Sequence, residues 1–416
     1  MPDEVCAHPA AIHATRVELP DSVLLPGLVN AHTHLDLTHI GPQLHDPAKG
    51  FVPWVDMIRA NRLTDDAMIE ASVQRGIELS RAGGTVAIGD ISGAMPKRIS
   101  IAPYRQLSAS GMRGVSFIEF FGIGTYETSF ASMFTEHVAE LLIGAGQPVV
   151  QEFEHEPIPS PTSRVKLGLQ PHAPNTVDIR QYQWTMVRAC LLGWPVSTHL
   201  AESVEEREFV ARATGPQREL LERFGIWDED IAGRIGHGLS PVQHLAPVLE
   251  LASQASTPML LAHVNNANDE DIQILADSNV AVAYCPRASD YFGAHLHFGP
   301  HRYRDMLNAG IPVALGTDSI VNLPDTANDA TRDGMSIFDE MRLLHSRDNA
   351  DPLMLLQMAT VHGARALGLD PSLFIIRNEA QVAGIIAVRV EQSATIHDAG
   401  SCLAVVLEGM HPCRVC

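Results

Sequence analysis

Leu25-Pro26-Gly27-Leu28-Val29-Asn30-Ala31-His32-Thr33-His34 carries an apolar run directly into two closely spaced histidines. The run Val23–Val29 predicts a β-strand that ends at Asn30-Ala31-His32. Residues two apart on an extended chain point the same way, so His32 and His34 can present two imidazoles to one cation. A polar strand end that faces solvent is the alternative. The position directly after an apolar strand favours the metal interpretation.

Seven more short runs predict further strands, and several are apolar throughout, as in strands buried on both faces. They are Thr85–Gly89, Gly114–Phe121, Val165–Leu169, Pro195–Thr198, Met259–Ala262, Val280–Tyr284 and Ile311–Leu315. Amphipathic stretches between them predict helices, among them Asp65–Arg81, Glu205–Ala213, Asp269–Asp277 and Arg302–Ala309. Alternating strands and helices predict parallel βαβ units, and eight such units predict an α/β fold of the (β/α)8 TIM-barrel type. From alternation alone, a doubly wound open sheet is the alternative.

The two ends of the chain show a different pattern. Strand-like pieces recur near the C-terminus without an obvious helix between them: Phe374–Ile376, Val382–Val390 and Leu403–Val406. We therefore predict that residues 1–22 and 373–416 together form a small β-sandwich domain. Residues 23–372 then form the barrel, a length that suits one large α/β barrel.

Composition and charge narrow the class of protein. The 416 residues include 29 Lys and Arg against 49 Asp and Glu, a formal net charge of −20. Such an acidic surface disfavours nucleic acid or an anionic membrane as a partner. The sequence shows neither a signal peptide nor a run of about 18 apolar residues. Six scattered cysteines fit free thiols, so we expect a cytoplasmic protein. We also expect a small-molecule substrate, and a homodimer is the candidate oligomeric state.

Polar side chains recur at the ends of the predicted strands. His172, His199, His263 and Asp318 each follow such a run, as His32 and His34 do. In a barrel these ends converge on one face, where catalytic loops lie. Three imidazoles and one carboxylate, from His32, His34, His199 and Asp318, would suit one divalent metal, zinc or iron, with a position open for water. The metal would lower the pKa of that water towards ~7.

Two further residues suit proton transfer at such a site. Glu202, three residues after His199, could take a proton from water and deliver it to the substrate. The alternative role for Glu202 is a helix-start carboxylate that complements the helix dipole. His263 could hydrogen-bond the water or the developing oxyanion, and Asp318 could share a proton with that water.

Motifs along the chain resemble, in order, those of the amidohydrolase superfamily over roughly Val23 to Leu369. They are the opening segment quoted above, Pro171-His172-Ala173-Pro174-Asn175-Thr176, His199-Leu200-Ala201-Glu202, Leu261-Ala262-His263, Cys285-Pro286-Arg287 and Gly316-Thr317-Asp318-Ser319. The resemblance is to the single-metal aminohydrolase branch, which deaminates aminated heterocycles and nucleosides. It implies that His32, His34, His199 and Asp318 bind the metal, usually zinc or iron. It also implies that Glu202 and His263 shuttle protons and that His172 contacts the substrate.

The resemblance also frames the choice of substrate. After the position of Trp54, adenosine-type deaminases usually carry a carboxylate for the ribose hydroxyls, but here Arg62 and other cationic or amide residues follow. Trp54, Arg62 and Arg287 are therefore candidate substrate-binding residues, and the arginines suit a substrate that bears a carboxylate. Aminodeoxyfutalosine, a carboxylated adenine nucleoside, is one such candidate. Two alternatives stay open: an amide or chloro-triazine-type ring hydrolase on the same site, and a non-catalytic binding protein with a barrel fold.

Overall fold

The computed structural model describes residues 17–93, 98–144, 164–325, 334–378, 380–390, 398–408 and 413–414. The strands are β1 Ser22–Pro26, β2 Leu28–Thr33, β3 Thr85–Ser92, β4 Arg113–Phe120, β5 Val165–Pro171, β6 Val196–Leu200, β7 Met259–His263, β8 Val280–Tyr284, β9 Val313–Leu315, β10 Ile385–Arg389 and β11 Cys413–Arg414. Strands β2 to β9 form one eight-stranded parallel sheet in consecutive order. A parallel bridge between Thr33 and Asp318 joins the first strand to the end of the last. The predicted (β/α)8 barrel is confirmed, and the open-sheet alternative is wrong.

The α-helices lie mainly between these strands, as the parallel crossovers require. They are α1 Val52–Asn61, α2 Asp66–Ala82, α3 Ala102–Ala109, α4 Ser129–Gly144, α5 Ile179–Leu192, α6 Val204–Arg212, α7 Pro216–Arg223, α8 Glu229–Ala232, α9 Pro241–Gln254, α10 Asp269–Asp277, α11 Pro286–Tyr291, α12 Ala294–Phe298, α13 Tyr303–Asn308, α14 Ile337–Asp348, α15 Pro352–Gln357, α16 Gly363–Ala366 and α17 Ala399–Glu408. Within the described ranges, every helix is too short or too polar to cross a membrane.

Strand β2 shows why the sheet sits at the centre of the molecule. All six of its residues are buried. Leu28 packs into the large apolar cluster that also holds Val73 and Ile77 of α2, whereas Val29 and Ala31 belong to a second apolar cluster. Successive side chains of a strand point to opposite faces, so both faces of this strand are covered, as its unbroken apolar run predicts.

The first predicted strand is in fact two strands. Val23–Val29 divides at Gly27 into β1, which joins the small sheet, and β2, which begins the barrel. The Gly27 amide donates to the Gly384 carbonyl at 2.8 Å, and a Cβ at Gly27 would lie only 2.4 Å from Cγ1 of Val86. The close approach of Val86 leaves no room for a side chain at position 27. The run of apolar residues in the sequence does not reveal such a break.

The small terminal unit differs from the predicted β-sandwich. In the described residues it is one antiparallel sheet in the order β1-β10-β11, with β10 confirming part of the predicted Val382–Val390 strand. Leu403–Val406, predicted as a strand, lies inside helix α17, and Phe374 ends a 3-10 helix that begins at Pro371. A run of four apolar residues fits a helix face as well as a strand. Residues 1–16, and with them most of the predicted N-terminal contribution, lie outside the described ranges.

Candidate active site

Four side chains converge at the carboxyl ends of β2, β6 and β9. We call His32, His34, His199 and Asp318 the metal cluster. The Nε2 atoms of His34 and His199 lie 3.3 Å apart. Oδ1 of Asp318 lies 3.6 Å from Nε2 of His32 and 3.5 Å from Nε2 of His34. All four residues are buried, so the structure brings together the four predicted ligands.

The hydrogen-bond pattern points the imidazole lone pairs of the metal cluster at one another. Nδ1 of His199 lies 2.9 Å from the His172 carbonyl, which can only accept, so Nδ1 carries the proton and Nε2 presents a lone pair. Both ring nitrogens of His32 are buried without a hydrogen-bond partner. Burial lowers the pKa of His32 to about 3 and also lowers the pKa values of His34 and His199. Neutral imidazoles with converging lone pairs and one carboxylate fit a divalent cation.

Unusual backbone conformations hold the strand ends that form the site. Ala201, His263 and Asp318 have φ angles of +52°, +71° and +58°, a region that non-glycine residues rarely adopt. Hydrogen bonds to neighbouring strands hold one of these turns, because the Asp318 amide donates to the His32 carbonyl at 3.1 Å and the His34 amide donates to the Asp318 carbonyl at 2.7 Å. Such strain concentrates at functional sites.

Glu202 and His263 lie together beside the metal cluster. Oε1 of Glu202 lies 3.5 Å from Nε2 of His263. Burial raises the pKa of Glu202 well above its ordinary value, and the negative charge of Asp318 adds to the shift. A carboxyl group that readily holds a proton suits a general acid and base. The structure thus places both residues where proton transfer at the cluster is feasible.

Glu206 is a site residue that the sequence interpretation missed. Its carboxylate is buried and accepts hydrogen bonds from the backbone amides of Ala201 and Glu202, at 2.9 and 2.7 Å. These bonds hold the left-handed turn that carries Glu202. Burial raises the pKa of Glu206 to about 7. In the sequence Glu206 looks like one more acidic residue at a helix start, and its four-residue spacing from Glu202 is the only available signal.

His172 lies next to the metal cluster, with ring centroids of His172 and His199 4.9 Å apart. Its side chain is 26% exposed, and its Nε2 lies 4.0 Å from Oε1 of Glu119. Glu119, His172 and His199 form a further group whose possible ligand atoms all lie within 4.8 Å of one another. The predicted contact between His172 and the substrate is consistent with this place and stays a prediction.

Arg62 lies between two buried carboxylates. Its Nη2 lies 3.2 Å from Oδ2 of Asp36 and 3.6 Å from Oε2 of Glu119. We call Arg62, Asp36 and Glu119 the arginine cluster. The backbone at Gly93 packs tightly against this cluster, because a Cβ at Gly93 would lie 2.2 Å from Oδ2 of Asp36. The predicted substrate residue is thus near the site, but it already neutralises side chains of the protein.

Trp54 belongs to an aromatic group beside the site. Its ring lies 5.0 Å from that of Phe51 and 5.2 Å from that of Phe292, measured between centroids. Phe51, Phe292 and Glu202 all line one small cavity of about 30 Å³. The structure therefore places Trp54 behind the apolar wall of that cavity, and its predicted contact with substrate is untested.

Arg287 has a different environment from the one predicted. Its Nε donates to Oε1 of Glu340 at 2.6 Å and its backbone amide donates to Oε2 of the same residue at 3.0 Å. Nη2 also donates to the carbonyls of Gly334 and Ser336. Glu340 is fully buried, so Arg287 serves as its counter-ion. Arg287 therefore supports the segment before α14, and its predicted contact with the substrate stays a prediction.

The chain is similar to one known protein family and to several named enzymes. The model of the amidohydrolase family matches residues 23–373. The chain is 28% identical, over 86% of its own length and 71% of the relative's, to a 5-methylthioadenosine/S-adenosylhomocysteine deaminase of Moorella thermoacetica. It is 27% identical, over 84% of its length and 75% of the relative's, to an aminodeoxyfutalosine deaminase of Deinococcus radiodurans.

Two solved structures share the fold. One is the aminofutalosine deaminase of Helicobacter pylori in complex with methylthio-coformycin, with a TM-score of 0.71, 19% identity, and coverage of 99% of this chain and 88% of that one. The other is an adenosine deaminase from Xanthomonas campestris with bound zinc, with a TM-score of 0.65, 18% identity, and coverage of 95% and 78%. The likeness extends over nearly the whole chain and supports the barrel described above.

Proposed function

Because the chain belongs to the amidohydrolase family, we propose that it is a metal-dependent hydrolase that removes the amino group of an adenine nucleoside as ammonia. The observation that carries the proposal is the buried convergence of His32, His34, His199 and Asp318, with Glu202 and His263 3.5 Å apart beside them. Relatives named as deaminases of adenine nucleosides support the choice of substrate class.

The metal cluster would hold one divalent cation, and we propose zinc. Three neutral imidazoles and one carboxylate are ligands that zinc prefers, and the adenosine deaminase with the same fold contains zinc. A cation at this position supplies Lewis acidity and brings the pKa of water towards neutrality. Every other role in the reaction falls to side chains of the chain itself.

Glu202 would carry the protons of the reaction. The oxygen of water forms a bond to the amine-bearing carbon, the carbon–nitrogen bond breaks, and ammonia leaves. Glu202 takes the two protons that water loses, one after the other, and delivers the first to the ring nitrogen and the second to the leaving amine. His263, whose pKa burial lowers well below its ordinary value, stays neutral and can donate a hydrogen bond to the developing oxyanion.

An ammonia-release assay tests this proposal. The purified, zinc-loaded protein is incubated with adenosine, 5′-methylthioadenosine, S-adenosylhomocysteine and aminodeoxyfutalosine, and ammonia and the deaminated product are measured together. We expect turnover of at least one of these nucleosides, with one ammonia released for each inosine-type product. No ammonia from any of them would refute the proposal, and release of chloride or a carboxylic acid from ring or amide substrates would favour the alternative hydrolases.

Two predictions concern the protein beyond its site. The three cysteines that the structure describes with side chains, Cys190, Cys285 and Cys402, are free thiols, which suits the reducing cytoplasm that we propose as its compartment. The homodimer also stays a prediction. Size-exclusion chromatography with light scattering would decide the oligomeric state.

A further inference from the structure

The arginine cluster meets the metal cluster at two acceptor atoms that face each other. Glu119 is the second-last residue of β4, and His172 directly follows the neighbouring strand β5, where Phe120 pairs with Pro171. Oε1 of Glu119 lies 4.0 Å from Nε2 of His172. The side chain of Glu119 is almost fully buried, whereas that of His172 is 26% exposed. A ligand in the site can therefore approach the gap between them from the side of His172.

The proton on His172 can be assigned from its neighbours. The hydroxyl of Thr176 donates to the Ala173 carbonyl at 3.1 Å, so its oxygen is left to accept from Nδ1 of His172 at 2.7 Å. A neutral imidazole protonated at Nδ1 presents a lone pair at Nε2. Both atoms that face each other across the 4.0 Å gap, Nε2 of His172 and Oε1 of Glu119, are therefore hydrogen-bond acceptors.

A substrate carboxylate in this gap would lie beside the carboxylate of Glu119, and like charges repel each other. Arg62 lies beside Glu119, and the same Nη2 also neutralises Asp36. One guanidinium thus faces two carboxylates, and a substrate carboxylate at this position would be a third. A hydroxyl group can donate its one hydrogen to either of these acceptors and adds no charge, so it suits this position better than a carboxylate does.

We infer that Glu119 and His172 form an acceptor subsite that binds a hydroxyl group of the nucleoside sugar and disfavours a carboxylate there. The inference rests on the proposed function, from which it takes the kind of substrate. It adds which group of that substrate Glu119 and His172 recognise. It also replaces the expectation that Arg62 binds a substrate carboxylate.

The test compares the effect of Glu119→Gln on substrates with and without each hydroxyl. Values of kcat/KM are measured for adenosine, 2′-deoxyadenosine and 3′-deoxyadenosine with the wild type and the variant, both zinc-loaded. We expect the wild type to prefer adenosine to one deoxynucleoside by about 10- to 100-fold, as a hydrogen bond to a charged group contributes. Glu119→Gln should remove most of that preference. An equal loss on all three substrates would overturn the inference.

Asp36→Asn is the matched control variant. It also removes a carboxylate that Arg62 neutralises, but it leaves the pair Glu119 and His172 in place. Its preference between adenosine and the deoxynucleosides should stay within about twofold of the wild-type value. If Asp36→Asn abolished the preference as Glu119→Gln does, the effect would come from loss of the ion-pair arrangement, and the acceptor subsite would be refuted.

Binding of inosine separates this inference from the proposed function. Isothermal titration with inosine and the two deoxyinosines measures hydroxyl recognition without turnover, because these ligands carry no amino group. The protein could release no ammonia from any nucleoside and still bind inosine at least tenfold more tightly than one deoxyinosine. If Glu119→Gln then abolished that difference in affinity, the subsite would be supported and the proposed reaction would be refuted. Equal affinities for all three ligands, or no binding, would overturn the subsite.

Discussion

The metal cluster and the arginine cluster lie next to each other at the same end of the barrel, and both hold polar groups away from water. In the metal cluster, three imidazoles and one carboxylate converge with lone pairs towards a common centre, and neighbouring ligand atoms lie 3.3 to 3.6 Å apart. In the arginine cluster, two carboxylates converge on a guanidinium that the chain itself provides. The first arrangement calls for a cation from solution, and the second already contains one.

Because of this difference, the metal cluster suits catalysis and the arginine cluster suits recognition. A metal ion held by protein ligands can keep a coordination position for a reactant, whereas an arginine fixes its carboxylate partners through geometry and charge. Asp90, which lies close to Asp36, shows a third way to compensate a buried carboxyl group. Burial and the charge of Asp36 raise the pKa of Asp90 to about 8, so near neutral pH a proton, rather than a cation, compensates its burial.

Removal of the metal should have the largest effect. Dialysis against a chelator is expected to reduce ammonia release to background, and added Zn²⁺ should restore it, because water activation depends on the cation. His32→Asn should lose the bound metal, as measured by elemental analysis, and added Zn²⁺ should not restore its activity. His237→Asn, which changes an exposed histidine, is the control. Full activity in metal-free protein would show that the metal cluster is not catalytic.

Glu202→Gln should have the next largest effect. The variant keeps the shape of the side chain but cannot transfer a proton, so kcat should fall by about 10²- to 10⁴-fold. Its metal content should equal that of the wild type, since Glu202 is not among the four predicted ligands. Glu219→Gln on the exposed side of α7 controls for loss of one negative charge. Near-normal kcat would remove Glu202 from the proton path.

The contrast between the clusters also explains what the sequence predicts well. The ligands His34 and His199 are 165 residues apart, yet each follows an apolar run, and parallel strands of a barrel bring such ends to one face. The metal cluster could therefore be predicted from the order of strands. The split at Gly27 could not be predicted, because it depends on the close approach of Val86 in strand β3, which lies about 60 residues further along the chain.

The arginine cluster and its neighbours show why the rest was missed. Sequence patterns mark Arg62 and Arg287 as free cations for substrate, but their partners Glu119 and Glu340 lie 57 and 53 residues further along the chain. A buried counter-ion at such a separation leaves no periodic signal. Glu206 is similar, since an acidic residue in the first turn of a helix is usually explained by the helix dipole.

Arg62→Met tests whether the arginine is a structural counter-ion. The apolar replacement would leave Asp36 and Glu119 buried without it, so the free energy of unfolding should fall by about 3 kcal/mol or more. Chemical denaturation measures the loss. Arg105→Met is the control, because Arg105 pairs with Asp66 and Glu70 on the exposed surface and should cost only about 0–1 kcal/mol. Equal small losses in both variants would mean that the arginine cluster contributes no more than a surface ion pair.

Asp90→Asn tests, through the pH dependence of stability, whether a proton compensates the burial of Asp90. The pKa of Asp90 is about 8 in the folded protein, against an ordinary value of 3.8. Between pH ~4 and ~8 the folded state therefore holds a proton that the unfolded state has lost, and the wild-type free energy of unfolding falls as the pH rises. Asparagine cannot titrate and keeps the oxygen that accepts from the Leu35 amide at 3.1 Å. The stability of the variant relative to the wild type should rise by about 1.4 kcal/mol for each pH unit over this range, and then stay level above pH ~8. Denaturation curves measured at several pH values give this difference directly. Parallel pH profiles for the two proteins would show that Asp90 is ionised in the folded protein.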